Sequence, residues 1–370
     1  MNTIAIFLEV HQPRRLRRYS MKEIGHSHSY FWDEKNYEIM QRVTKKCYVP
    51  ALKVFMESGV KASVSLSGTF MEQAKEYAPE SIDEFKSYFK SGLSEAVAET
   101  YYHSLASIWN ESEFAEQVKQ QVNALKREFG VKPESFRNTE LIYSDKIADA
   151  VKSMGFKRVL AEGTDYIISR HSPNYIYRAK SGISLFLRNY RLSDDISFRF
   201  SNWEWPEYPL TADKYARWIS ETPGNIANLF MDFETFGEHQ VAETGIFEFV
   251  RALPKELKGR GIEMVTLEEA DRMFEKSQTI SVPEITSWAD TRRDLSPWLG
   301  NEMQKQAFSE LKRIDKKDHV WRSLQTSDHL YYMSTGTSQD ITVHEYFNPY
   351  KSPYYAFLSF MNVMQDIKMQ

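Results

Sequence analysis

The sequence predicts an α/β fold: a parallel barrel finished by a C-terminal helical subdomain. Short apolar segments rich in β-branched and aromatic residues alternate with longer helix-like stretches over the first three-quarters of the chain, which is the pattern of parallel βα units. About seven or eight such strands suffice to close a barrel. After about Ser277 the alternation stops and helix start signals take over.

The first strand is read at Thr3–Val10. It lacks a basic leader, contains Glu9 and runs directly into His11-Gln12-Pro13, so it is a strand rather than a signal segment. Further strands are expected at Lys61–Leu66, Ser94–Ala98, Ser135–Thr139, Arg158–Ala161, Ser184–Asn189, Asn228–Phe233 and Glu263–Thr266. Among the helices between them, Glu113–Phe129 has Ser112 in position to cap it and Phe114, Val118, Val122 and Leu125 spaced for one buried face. Ser296-Pro297 reads as an N-cap followed by proline at the first helical position, after which Leu299, Met303, Phe308 and Leu311 fall on one broad side. Ser352-Pro353 repeats that signal. The chain therefore divides into a barrel over residues 1–276 and a helical region over 277–370 that covers it. The connection from His11 to Asn36 is unusually long. It carries Arg14, Arg15, His26, His28 and the run Tyr30-Phe31-Trp32, and long ordered loops in compact domains usually serve a site.

At 370 residues and 42% hydrophobic, the chain can bury a large core, which excludes intrinsic disorder. Lys and Arg total 47 against 51 Asp and Glu, a formal charge of −4, so there is no general field for nucleic acid. No apolar run approaches the roughly 20 residues that cross a bilayer, and no membrane partner is expected. The single cysteine, Cys47, allows no intrachain disulfide and favours a reducing, cytoplasmic setting. Phosphate-binding glycine motifs are missing, which speaks against nucleotide chemistry. Closely spaced histidine or cysteine pairs are missing too, apart from His26-Ser27-His28, so zinc or iron is neither indicated nor excluded.

Parallel barrels carry their chemistry at the C-terminal ends of strands. Here those ends are acidic: Glu9 with His11, Glu99 with His103, Glu140, and Asp232 with Glu234. A period of two puts Asp232 and Glu234 on one face, and neighbouring carboxylates resist joint ionisation. One of the two can then stay protonated as a general acid while Glu140 stays ionised as a nucleophile, the pairing that glycosidic bond cleavage requires. Paired carboxylates also serve metals, and that alternative stays open on spacing alone. Aromatic residues make up 14% of the chain, many beside polar groups, as in Trp203-Glu204-Trp205, Trp288, Trp298 and Tyr101-Tyr102. Sugar rings stack on such side chains.

Five ordered blocks then carry a resemblance. They are Val10-His11-Gln12-Pro13, Ala98 to Ser104, Phe136 to Leu141, Met231 to His239, and Ser287-Trp288-Ala289-Asp290 through Arg293-Asp294-Leu295-Ser296. Together they resemble the signature regions of glycoside hydrolase family 57, nearest to its short α-amylase-type members. The resemblance implies an incomplete (β/α)7 barrel acting on α-1,4-glucans or maltooligosaccharides with retention and without a cofactor. It makes Glu140 the nucleophile and Asp232 the general acid/base, which for retention stand about 5–5.5 Å apart. His11, Glu99, His103 and Glu234 would line sugar subsites, joined by Trp288, Asp294 and Trp298. Some members have histidine two residues before the His-Gln-Pro histidine; here that residue is Glu9. A 4-α-glucanotransferase or branching enzyme would use the same site. A metal-dependent polysaccharide deacetylase and a non-catalytic carbohydrate-binding protein are the readings from other classes.

Overall fold

The computed structural model describes residues 1–314, 316–336 and 348–370. One sheet forms the spine: β1 (Thr3–Val10), β2 (Ala62–Leu66), β3 (Ser94–Ala98), β4 (Ser135–Phe136), β5 (Arg158–Glu162), β6 (Ile176–Ala179), β7 (Ser184–Arg188), β8 (Ala227–Asp232), β9 (Glu263–Val265) and β10 (Thr279–Ile280). Its order is β10-β6-β7-β5-β4-β3-β2-β1-β8, with β9 also on β1. The pairings are parallel except β6 with β7.

The sheet curls until β8 meets β7. The Asn189 amide donates to the Asn228 carbonyl at 2.8 Å, Asn228 Nδ2 donates to the Leu187 carbonyl at 3.1 Å, and Arg188 Nε donates to the Phe230 carbonyl at 2.8 Å. The strands β8-β1-β2-β3-β4-β5-β7 thus make the incomplete (β/α)7 barrel, joined at one place by separate bonds rather than by a ladder.

Alternation in β1 serves both faces. Ile4, Ile6, Leu8 and Val10 pack outward with Ile39, Val43, Leu52 and Phe55 from flanking helices. Ala5 and Phe7 fill the interior with Leu160, Phe186 and Phe230, and the Phe7 and Phe230 rings meet edge to face at 5.7 Å. Each fully buried side chain of this size contributes roughly 1.5–3 kcal/mol. The C-terminal helices share a second core with the barrel, in which Phe136, Val159 and Leu187 pack with Trp298, Trp321 and Phe360.

Several expectations need adjusting. β4 stops at Phe136, not Thr139, because the chain turns sharply through Glu140 and Leu141, both at positive φ. β6 was not foreseen. Nor was β10, which lies in the region read as wholly helical. The helix expected from Glu113 starts at Glu111, since Asn110 rather than Ser112 caps it, its Oδ1 accepting the Glu113 amide at 3.0 Å. The helix signalled by Ser296-Pro297 is split into Ser296–Leu299 and Glu302–Arg313, and Asn301 caps the second piece. The Ser352-Pro353 signal does open a helix, Pro353–Met369.

The long first loop is anchored to that last helix. Asp366 accepts from the Gly25 amide at 2.6 Å, pairs with His28 at 2.8 Å and accepts the Tyr30 hydroxyl. Asn362 Nδ2 donates to the Tyr19 carbonyl at 2.8 Å. Among the described residues, no helix is long and apolar enough to cross a membrane.

Candidate active site

Strand register brings the acids together. Glu9 stands opposite Asp232 on β8, and Ala98 stands opposite Phe136. The residues just beyond, Glu99, Arg137 and Glu140, therefore emerge at the same end of the barrel as Glu9 and Asp232.

Glu140 sits at φ 58°, ψ 27°, followed by Leu141 at φ 49°. For residues with a Cβ this left-handed conformation costs roughly 1–2 kcal/mol and persists only where surroundings enforce it. They do so here: the Leu141 amide donates to the Asn138 carbonyl at 2.9 Å, and Tyr143 and Thr286 exchange backbone hydrogen bonds at 2.9 Å. The second pairing brings Trp288 alongside, its amide donating to the Glu140 carbonyl at 3.1 Å.

Three donors converge on the Glu140 carboxylate. Trp288 Nε1 donates to Oε2 at 2.8 Å, Ser327 Oγ donates to Oε1 at 3.1 Å, and His103 Nε2 lies 3.4 Å from Oε1. Burial pushes the Glu140 carboxyl up, but the hydrogen bond and charge of His103, with the charge of Arg137, outweigh it and hold the group below its ordinary value. The Trp288 ring is itself flanked by guanidiniums, Arg137 at 4.9 Å and Arg188 at 5.7 Å from its centroid.

His103 faces carboxylates through both ring nitrogens, since Nδ1 lies 2.9 Å from Glu99 and 3.1 Å from Glu9. Burial pulls its pKa down, yet Glu9, Glu140 and Glu99 raise it well above the ordinary histidine value, so the ring is an imidazolium. His11 stacks on it at 4.0 Å. Burial and the neighbouring imidazolium lower the His11 pKa and keep it neutral. Its Nε2 then donates to Asp328 at 3.0 Å, leaving Nδ1 to accept from Ser67 at 2.8 Å.

Asp232 lies at the tip of β8, and burial and the like charge of Glu140 raise its pKa, against the pull of His239, Arg137 and Arg188. β8 ends there and the next residues form a 3₁₀ turn, yet Glu234 remains close enough for the two acids to repel. Burial and the Asp232 charge push Glu234 up to about 8, although Tyr48 and Gln12 hydrogen-bond it. Glu234 is the more deeply buried of the two; Asp232 keeps partial exposure. Gly237 closes this segment at φ 119°, where a Cβ would sit 2.1 Å from the Lys46 carbonyl oxygen.

Among the described residues, Glu9, Glu99 and His103 are the trio whose donor atoms fall within 4.8 Å of one another, as a metal site needs. Arg137, fully buried, forks onto both oxygens of Glu9 and lies 3.8 Å from Glu99. Arg137 and His103 already face these carboxylates, and burial pushes the Glu9 carboxyl well above its ordinary value, so the trio fits an internally paired ion cluster better than a metal cage.

The sequence-derived candidates thus separate. His11, Glu99, His103, Glu140, Asp232, Glu234 and Trp288 converge. Trp298 is fully buried in the helical core and offers no face to a ligand. Asp294 is occupied locally, its Oδ1 accepting the Ser296 amide at 2.8 Å and its carbonyl accepting the Ser287 hydroxyl at 2.8 Å. Sequence reasoning missed Arg137, Ser327 and Asp328. Arg137 was open to recognition as the charge three residues before Glu140 in the same motif; Ser327 and Asp328 come from a short distant helix, Ser327–Tyr331, and no local pattern marks them.

Carboxylates of opposed protonation tendency gathered at the strand ends of a barrel are what a glycosidase needs. The family model for glycosyl hydrolase family 57 matches residues 5–283. A putative α-amylase of Methanocaldococcus jannaschii is 42% identical across 99% of this chain and 84% of its own length. The chain belongs to glycosyl hydrolase family 57. Among solved structures, the branching enzyme of Pyrococcus horikoshii superposes with TM-score 0.64 at 15% identity, over 96% of this chain and 89% of that one. The 4-α-glucanotransferase of Thermococcus litoralis gives 0.61 at 16% identity, over 95% of this chain but only 53% of that one, so this chain spans about half its length. These likenesses show the shared fold.

Proposed function

We propose that this glycosidase cleaves α-1,4-glucans with retention, Glu140 acting as nucleophile and Asp232 as general acid/base. The observation that carries the reading is the opposed tuning of the two acids: Glu140 is held ionised by His103 and Arg137, whereas burial and the Glu140 charge bias Asp232 toward its protonated form. In the first step a Glu140 oxygen bonds to the anomeric carbon, the glycosidic C–O bond breaks, and the Asp232 proton passes to the departing oxygen. In the second, Asp232 takes a proton from the acceptor hydroxyl, which displaces Glu140. Water as acceptor gives hydrolysis, and a glucan hydroxyl gives transfer. His11, Glu99, His103, Glu234 and Trp288 hold or line the site, and no cofactor is required by these steps.

Two variants test the assignment. Glu140→Ala is expected to lose turnover of soluble starch by several orders of magnitude while azide partly restores bond cleavage. Asp232→Asn is expected to be slow on starch and to recover on substrates with good leaving groups, which need no proton. Starch cleavage at wild-type rate by Glu140→Ala, or uniform loss across leaving groups in Asp232→Asn, overturns the roles. Separating the products from maltoheptaose decides the acceptor: shorter chains alone mean an amylase, longer ones a transferase, new α-1,6 linkages a branching enzyme.

A further inference from the structure

The Trp203-Glu204-Trp205 segment takes no part in the chemistry above. It lies on the loop between helices Tyr190–Ser197 and Ala212–Glu221, where Trp203 is 75%, Phe198 66% and Tyr208 47% exposed. The loop is nonetheless tightly braced. Successive turns hydrogen-bond Asn202 to the Arg199 carbonyl, Trp205 to that of Asn202 and Tyr208 to that of Trp205, at 3.0, 3.1 and 2.9 Å. Trp205 meets Trp218 edge to face at 6.0 Å under the Arg199 guanidinium, and Phe200 packs on Phe249 at 5.3 Å. Large apolar rings held in water on an ordered loop mark a binding surface.

The chemistry of that surface selects among occupants. Residues 198–211 carry one arginine against two glutamates, and that arginine pairs with Asp195 at 2.6 Å. That leaves no free positive field for a nucleic acid or an anionic lipid surface. Exposed rings interleaved with Asn202 and Glu204 suit instead a neutral polyhydroxylated chain, whose C–H faces stack while its hydroxyls hydrogen-bond. The loop is also tied to the segment that follows Asp232: Gln240 donates through Nε2 to the Ser197 carbonyl at 2.9 Å. We propose that Phe198, Trp203 and Tyr208 form a second α-glucan-binding surface beside the cleft, which holds a remote stretch of the same polymer. This rests on the α-glucan reading above.

The test uses the full chain. In a Glu140→Gln background, which binds without turnover, migration in native gels containing amylose gives the affinity. Adding Trp203→Ala, or separately Phe198→Ala, is expected to weaken amylose binding about fivefold, the effect of losing one stacking surface. In the active enzyme the same changes raise the amylose KM by a similar factor, while kcat/KM on maltotetraose, short enough for the cleft alone, is unchanged. Unaltered retardation in both variants overturns the proposal. So does equal loss on maltotetraose, which puts the rings inside the cleft, and so does a wild-type dimer that Trp203→Ala converts to monomer in sedimentation, which assigns them to a second copy. Failure of the wild type to cleave either glucan refutes the catalytic reading, and the gels, needing no turnover, still decide the surface.

Discussion

Glu140 receives donors from three separate parts of the chain, and the charged one, His103, is in turn held by Glu99 and Glu9. On the proposed mechanism, activity requires Glu140 ionised and is expected to be lost as pH falls through its depressed pKa, and it requires Asp232 protonated and is expected to be lost as pH rises through its elevated one. His103→Gln removes the hydrogen bond and charge that help outweigh burial at Glu140, so the acidic limb of the kcat/KM profile is expected to move to higher pH, with the basic limb moving less. A profile whose acidic limb stays in place would show that His103 does not tune Glu140. Legibility at this scale divides by distance along the chain. Glu140, Asp232, Glu99 and His103 were readable because each lies at or just beyond the C-terminal end of a strand. Ser327 and Asp328 were not, because only folding carries their helix back to the barrel mouth. Trp298 and Asp294 share a motif with Trp288, but the structure places the Trp298 ring in the helical core and an Asp294 oxygen on the Ser296 amide.

The long first loop and the last helix are the elements most closely tied across the sequence. Asp366, fully buried, accepts the Gly25 amide and the Tyr30 hydroxyl and pairs with His28. Burial pushes its carboxyl up, but those partners hold it at about 2. Asp366→Ala strands these donors and is expected to destabilise the fold by about 2–3 kcal/mol. Because the folded pKa is depressed, the contribution is complete above the unfolded value near 4 and fades as pH falls through about 2. Denaturant titrations of both proteins at neutral pH and at low pH check this: the gap should narrow with acid, and an equal gap at both would deny the carboxylate its role. The loop's length and aromatic run signalled that it was ordered, but its partner was not evident, since nothing local links Tyr30 to residue 366. The hairpin of β6 and β7 escaped notice for a related reason, its short antiparallel strand being set within an otherwise parallel rhythm.

In the whole molecule, barrel and helical region share one core and one site, so removing the segment that carries Ser327 and Asp328 would take a donor from Glu140 and an acceptor from His11 together. The sheet itself is continuous from β7 round to β8, but between those two the cylinder is fastened by three isolated hydrogen bonds around Asn228 and Arg188. A wall with such a stitched join is expected to part there early when warmed. Arg188 also acts on Asp232 and flanks Trp288, so parting would misalign the acids while most helices stay folded. Heat inactivation is therefore expected several degrees below the loss of far-ultraviolet ellipticity, and Asn228→Ala should widen that gap; coincident transitions in both proteins would mean the join is as firm as the rest. An enzyme built this way has a thermal limit set by its weakest join, and its ceiling could be lifted by strengthening that join without touching a catalytic residue.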